Sequence, residues 1–374
     1  MSTRIIILTH EFFPTKGGIS TYVRETAHAA QLSGWEVQVW APDHPDLREA
    51  AFDFTIVPLP LKGTQDWADR IRLRKAIRNA DLDWSKTILY LPEPGPQRLW
   101  IYGQSIELPQ PAKTVLTLHG SEINLFHRRA HRRSRFQYLL NHSDRVGVVS
   151  NAIEQSLKSK FELSDSKLVC VPGALPANFQ LNSVHIQKPA PDFFQILTVA
   201  RIHPRKGQLE LLESIAALPL ELRRKISYRL VGPVVKPDYL KRLKAYAHKK
   251  HIHLIGPDLL TDEQLPQAYA DCDLFALTSV EKGASTEGFG LCYLEAAALG
   301  KPILAHNTGG AAEAVPHNKI GLVVPSNSHQ ALTLALKQLI ESPELRKRFS
   351  DAGPHWAQRF SWKKNAEQLF TELP

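Results

Sequence analysis

Gln195-Ile196-Leu197-Thr198-Val199-Ala200-Arg201-Ile202-His203-Pro204-Arg205-Lys206-Gly207, running on into Gln208–Leu218, is the stretch from which the fold can be read. Gln195–Ala200 is an apolar run of strand length, and Leu209–Leu218 has helical periodicity. A short charged loop ending in Gly207 joins them. A strand without polar alternation is buried on both faces, and a helix directly after it is the crossover of a parallel sheet.

The same unit recurs in both directions. Downstream, Tyr228–Val231, His253–Ile255, Leu274–Thr278, Pro302–Ala305 and Gly321–Val324 read as strands, with Tyr239–Lys250 and Gln330–Ser342 as helices. Upstream, Ile5–Thr9, Glu36–Ala41, Thr87–Leu91, Thr114–Leu118 and Arg145–Ser150 read as strands, with Ser20–Gly34 and Asn151–Lys160 as helices. Between the halves, Pro172, Gly173, Pro176, Pro189 and Pro191 punctuate a segment without periodicity, which places a linker near 175–192. A chain of 374 residues suits two domains. The expected fold is α/β: two Rossmann-like, doubly wound domains facing across a cleft. Ligands of such sheets lie beyond the carboxyl ends of the strands.

Composition narrows the function. Hydrophobic residues are 43% and charged residues 22%, which excludes disorder and coiled coil for the bulk of the chain. Three scattered cysteines, Cys170, Cys272 and Cys292, make neither a disulfide framework nor a zinc knuckle and suit a reducing compartment. The apolar run at the N-terminus is short and ends in His10-Glu11, so it reads as a first strand rather than a signal peptide. No stretch approaches the ~20 apolar residues of a membrane span. A cytoplasmic protein, peripheral at an inner membrane, is expected. The net charge is +9, and two basic clusters stand out: Arg70, Arg72, Arg74, Lys75 and Arg78, and Arg128, Arg129, Arg132, Arg133 and Arg135. Each is a solvated helix face or a surface for phosphates. No nucleic-acid partner is expected, since no recognised reading element accompanies the charge.

Three loops carry candidate chemistry. Gly17 and Gly18 follow the first strand and open a helix, where backbone can approach an anion, although the pattern is not GxGxxG. Arg201 and Lys206 follow a strand and suit a diphosphate, the one as a fork and the other as a point charge. Thr286-Glu287-Gly288-Phe289-Gly290-Leu291-Cys292-Tyr293-Leu294-Glu295-Ala296-Ala297-Ala298 places Glu287 in a loop and Glu295 one to two turns into a helix that begins near Phe289–Leu291. Carboxylates accept hydrogen bonds from sugar hydroxyls, so two of them at one strand end suggest a polyol ligand. The apolar neighbours of Glu295 imply burial, and a buried carboxylate needs partners.

These residues, with His119-Gly120, Gly309-Gly310 followed by Glu313, and Tyr269–Ser279, resemble the retaining GT-B glycosyltransferases of family 4 (glycosyl transferases group 1), of the bacterial envelope-polysaccharide type. The resemblance covers the C-terminal half closely and the N-terminal half more loosely. It implies an acceptor-binding domain over 1–180, completed by a C-terminal helix near 355–374, and a nucleotide-sugar-binding domain over 190–354. It implies that Arg201 and Lys206 bind the donor diphosphate and that Glu295 holds the ribose. Glu287, with Phe289, Gly290 and Leu291, would hold the donor sugar, Gly17 and Gly18 would contact phosphate, and His119 would face the sugar. Glu313 is read as supporting.

The activity implied is hexosyl transfer from a sugar nucleotide to a saccharide or lipid-linked acceptor in polysaccharide or lipopolysaccharide synthesis. The expected donors, in order, are UDP-glucose, GDP-mannose and UDP-N-acetylglucosamine. Without a marked nucleophile, retention by a same-face route is expected, with the departing diphosphate stabilised by cations and a helix N-terminus. Neither cofactor nor metal is expected: Asp271-Cys272-Asp273 and Asp81-Leu82-Asp83 match a DxD string, and the first is read as structural. His10, His203 and His306 also lie near strand ends. A non-catalytic sugar-nucleotide-binding protein is the reading from a different class, and a charge-driven nucleic-acid binder is another. Arg128–Arg135 and Arg70–Arg78 would grip a phosphorylated acceptor or an anionic membrane.

Overall fold

A computed structural model describes residues 4–102, 108–179, 193–283 and 285–373. The chain divides into two compact units, residues 1–173 with 361–374, and residues 174–360. Of the expected linker, residues 180–192 lie outside the described residues.

Unit 1 holds a parallel sheet of strands β1 (Arg4–Leu8), β2 (Glu36–Pro42), β3 (Thr55–Leu59), β4 (Thr87–Leu91), β5 (Lys113–Leu118), β6 (Arg145–Val148) and β7 (Leu168–Cys170). Their order across the sheet is β3-β2-β1-β4-β5-β6-β7. The central strands β1 and β4 carry almost wholly buried side chains, including Ile5, Ile6, Ile7, Leu89 and Tyr90. That burial on both faces is why their sequences run apolar without alternation. Two edge strands escape the sequence pattern. β3 has exposed Thr55 and Pro58 at a sheet edge, where proline is tolerated, and β7 is only three residues long.

Unit 2 holds β8 (Phe194–Val199), β9 (Ile226–Val231), β10 (His253–Asp258), β11 (Leu274–Leu277), β12 (Ile303–His306) and β13 (Gly321–Val324). All its pairs are parallel, in the order β10-β9-β8-β11-β12-β13. Ile196 of β8 lies opposite Tyr228 of β9 and Leu274 of β11. Both sheets reverse their strand order next to their first strand, at β1/β4 and at β8/β11. Such reversals open the crevices in which doubly wound sheets hold ligands.

The helix Trp362–Phe370 belongs to unit 1. Arg145 donates to the Gln368 carbonyl at 2.6 Å, and the Trp362 ring packs edge-on to Tyr22 at 5.1 Å. The return to unit 1 begins at Ser361, so residues 355–360 remain with unit 2 at the end of the helix Pro343–Ala357 and just beyond it.

Candidate active site

The strand-order reversal of unit 2 gathers residues from three loops. After β8, His203 caps a turn: its Nδ1 accepts from the Arg205 N–H at 3.1 Å. The turn Pro204–Lys206 sends two consecutive cations to one carboxylate. Lys206 Nζ lies 2.8 Å from Glu287 Oε2, and Arg205 Nη1 lies 3.4 Å from the same atom. Ser279, beyond β11, donates its hydroxyl to that oxygen at 2.8 Å. Arg205 also donates to the Thr286 carbonyl at 3.1 Å. Behind the loop, Gly310 donates its N–H to the Glu287 carbonyl at 3.0 Å.

Burial alone would raise the Glu287 carboxyl. The charges of Lys206 and Arg205, with the hydrogen bonds from Lys206 and Ser279, instead hold it down at about 2. Glu287 is therefore ionised, and it leaves the cluster with a net positive charge. The Lys206 ammonium has three donors, so its bond to Glu287 leaves two that can meet an anion.

Glu295 lies one turn and more into the helix Leu291–Ala298. It is 8% exposed, and its Oε2 accepts from Tyr269 Oη at 2.6 Å. Burial pushes its carboxyl up to about 7, against that hydrogen bond. Gly290 caps the helix in a left-handed conformation, and the first-turn N–H groups of any helix lack intrahelical acceptors. The Phe289 side chain is buried against Phe360 at 5.3 Å, so only its backbone can serve a ligand. Leu291 is half-buried as the first residue of the helix.

Arg201 is placed differently. Its side chain is exposed, and its carbonyl accepts from Gln208 Nε2 at 3.0 Å. The structure brings Arg205, rather than Arg201, to Glu287 beside Lys206. In the sequence, Arg205 is marked only by the turn-forming Pro204 just before it.

In unit 1, Gly17 and Gly18 open the helix Gly18–Leu32, and a Cβ at either would meet no described atom within 4 Å. His119 follows β5. Its Nε2 lies 2.9 Å from the Pro92 carbonyl, and its ring packs edge-on to Tyr22 at 5.1 Å. Burial lowers its imidazole to about 4, against the hydrogen bond to Pro92, so it is neutral. Glu122 accepts from the His119 N–H, and burial pushes its carboxyl up to about 7. Beside them, Glu93 is fully buried between the loops that follow β1 and β4. Neither Glu93 nor Glu122 was singled out from sequence. The signal for Glu93 was Pro92-Glu93-Pro94-Gly95 directly after an all-apolar strand.

Several of the other candidates have structural partners. Asp273 accepts from the Gln195 N–H at 2.8 Å, Asp271 from Gln267, and Asp83 caps the turn Trp84–Lys86. The buried His306 bonds the Ser279 carbonyl at 3.2 Å. Among the described residues, no group of three or more His, Cys, Asp or Glu is arranged to hold a metal ion.

Two family patterns account for most of the chain. Glycosyltransferase Family 4 matches residues 16–179, and Glycosyl transferases group 1 matches residues 183–356. The chain is similar to the GDP-mannose-dependent alpha-(1-6)-phosphatidylinositol monomannoside mannosyltransferases of Mycolicibacterium smegmatis and Mycobacterium tuberculosis. These are 26% and 28% identical, each over 98% of this chain and 97% of the relative. The sucrose-phosphate synthase of Thermosynechococcus elongatus shares the fold, with a TM-score of 0.77 at 19% identity over 98% of this chain and 97% of that one.

Proposed function

This chain belongs to the group 1, family 4 glycosyltransferases and moves a sugar from a sugar nucleotide, and from that premise we propose that Lys206, Arg205 and the N-terminus of the helix Leu291–Ala298 hold the donor's diphosphate at the carboxyl ends of β8 and β11. The observation that carries this reading is the convergence of both cations on the ionised Glu287. Glu287 orients the Lys206 ammonium, and its second oxygen is the acceptor for a sugar hydroxyl. As the bond between sugar and diphosphate breaks, negative charge grows on the departing oxygen, and the preorganised cations stabilise it. That oxygen takes the acceptor hydroxyl's proton on the same face, so the anomeric configuration is retained. The two cations supply the neutralisation that a metal provides elsewhere, so turnover persists in a chelator. A loss restored by magnesium or manganese contradicts this.

GDP-mannose is the donor we favour over UDP-glucose, because mannosyltransferases named for it match nearly the whole chain. The acceptor class is a lipid-linked saccharide. Assaying GDP-mannose and UDP-glucose with phosphatidylinositol monomannoside tests both choices. Mannose transfer with an α linkage by product NMR is expected. Turnover with UDP-glucose alone overturns the donor, and a β linkage overturns retention.

We assign Glu295 to the nucleotide ribose. Its ionised form offers both oxygens as strong, charge-assisted acceptors to ribose hydroxyls, whereas the protonated form accepts more weakly, and the raised carboxyl is ionised above about 7. Donor affinity therefore strengthens as pH rises through about 7 and weakens below it. Glu295→Gln, which accepts less well and does not titrate, raises donor KM roughly tenfold and flattens this pH dependence. An unchanged pH profile of donor KM in the variant removes Glu295 from the ribose.

The lipid end of the acceptor is assigned to a basic face of unit 1. The guanidinium of Arg70 lies 4.7 Å from the Tyr102 ring centroid and that of Arg132 lies 5.8 Å from it, so two clusters far apart in sequence meet on one ring. Arg128, Arg129 and Arg133 are exposed beside them. Trp67 and Ile71 are 68% and 54% exposed on the helix Trp67–Asn79, on the same stripe as Lys75 and Arg78. An apolar tip flanked by cations suits an anionic bilayer surface. No helix among the described residues is long and apolar enough to cross a membrane. Sedimentation with anionic vesicles, screened by salt, is expected. Combined Trp67→Ala and Ile71→Ala substitution weakens it about tenfold, and undiminished binding removes this helix from the contact.

A further inference from the structure

Buried polar groups at the carboxyl ends of β1, β4 and β5 form a hydrogen-bonded network around His119. Glu93 is fully buried, yet one carboxyl oxygen accepts from the His10 N–H at 2.8 Å and the other from the Gly95 N–H. It thereby ties the loop after β1 to the loop after β4, with its first oxygen 3.5 Å from the buried His10 ring. The fit is close: a Cβ on Gly95 would stand 2.5 Å from His10 Nδ1 and 2.6 Å from Glu93 Oε1. One residue before the clamp, the Pro92 carbonyl receives His119 Nε2 at 2.9 Å. One residue earlier still, Gln97 Nε2 donates to the Leu91 carbonyl at 3.2 Å and to the Thr117 carbonyl of β5 at 3.0 Å. The peptide that meets His119 is thus held on both sides by buried side chains.

A carbonyl can only accept, so the His119 nitrogen facing Pro92 carries the hydrogen. In the neutral ring the other nitrogen, Nδ1, is then an acceptor.

We propose that Glu93 is a positioning residue: by clamping the His10 and Gly95 amides it holds the Pro92 carbonyl that fixes His119 as its Nε2–H tautomer, so that Nδ1 accepts a hydroxyl of the substrate. This rests on the reading of His119 as a substrate contact. Glu93→Gln keeps the shape and one acceptor oxygen but turns two hydrogen bonds received into at most one. The loops loosen, and His119 loses its single tautomer.

Imidazole 15N NMR of the full chain, with kinetics of Glu93→Gln, His119→Ala and the double variant, tests this. In the wild type, His119 is expected to show a protonated Nε2 and a bare Nδ1, and Glu93→Gln to show mixed tautomers. Glu93→Gln lowers kcat roughly 10- to 100-fold, and the double variant is no slower than His119→Ala alone. GDP binding, measured by calorimetry, is unchanged in all variants. If His119→Ala leaves kcat intact, the substrate role of His119 fails. If His119→Ala is slow but Glu93→Gln keeps full kcat and a single tautomer, or if the two losses multiply, the role of Glu93 fails.

Discussion

Lys206→Ala lowers kcat by about 10²–10³-fold, the range for removing one preorganised donor from a developing oxyanion. Lys206 is the cation nearest Glu287, a compact point charge with two donors free of it, whereas Arg205 lies farther from Glu287 and spends its Nη1 on Glu287 and the Thr286 carbonyl, leaving its other nitrogens for the diphosphate. The loss falls on kcat more than on KM if Lys206 meets charge that appears as the bond breaks. Removing it also leaves the buried Glu287 with one cation fewer, so its carboxyl moves up from about 2 toward the normal value. Lys206→Arg restores charge but not the compact geometry, and recovers only part of the rate. Steady-state kinetics with saturating acceptor check this. A variant that raises KM with kcat intact shows that Lys206 binds donor without serving the transition state.

Gly207→Ala destabilises unit 2 by roughly 3 kcal/mol or more. Gly207 adopts φ +72°, and an added Cβ would stand 1.7 Å from the Thr278 carbonyl oxygen. No rotamer relieves this overlap, because a Cβ is fixed by its own backbone and the atom it meets is a backbone oxygen. The Thr278 hydroxyl in turn donates to the Gly207 carbonyl at 2.7 Å, so the loops after β8 and β11 are fastened together here. Relief separates them, which moves Lys206 from Ser279 and Glu287. A fall in melting temperature of about 10 °C is expected for a unit of this size, with activity lost beyond what unfolding explains. A variant melting within about 2 °C of the wild type contradicts the close approach.

The strands were legible where both faces are buried. Thr87–Leu91 and Gly321–Val324 were read residue for residue, because an apolar run allows few alternatives. β3 was not legible, because only Leu59 of its five residues is buried and it contains Pro58, a residue confined to sheet edges. At the candidate site, the spacing of Glu287 and Glu295 could be read, and so could the helix start at Leu291. The choice between Arg201 and Arg205 could not, because it depends on a tight turn capped by His203 that rotates the second arginine inward. Glu93 is marked only by its place between two prolines after an all-apolar strand; its partners are backbone amides, which sequence does not identify.

The most direct test of the account is a crystal structure of the full chain with GDP bound. The β-phosphate is expected within hydrogen-bond distance, about 3 Å, of Lys206 Nζ and of the Arg205 guanidinium, with the ribose hydroxyls on Glu295. A diphosphate bound elsewhere, with Lys206 and Arg205 still paired to Glu287, is the contradicting result.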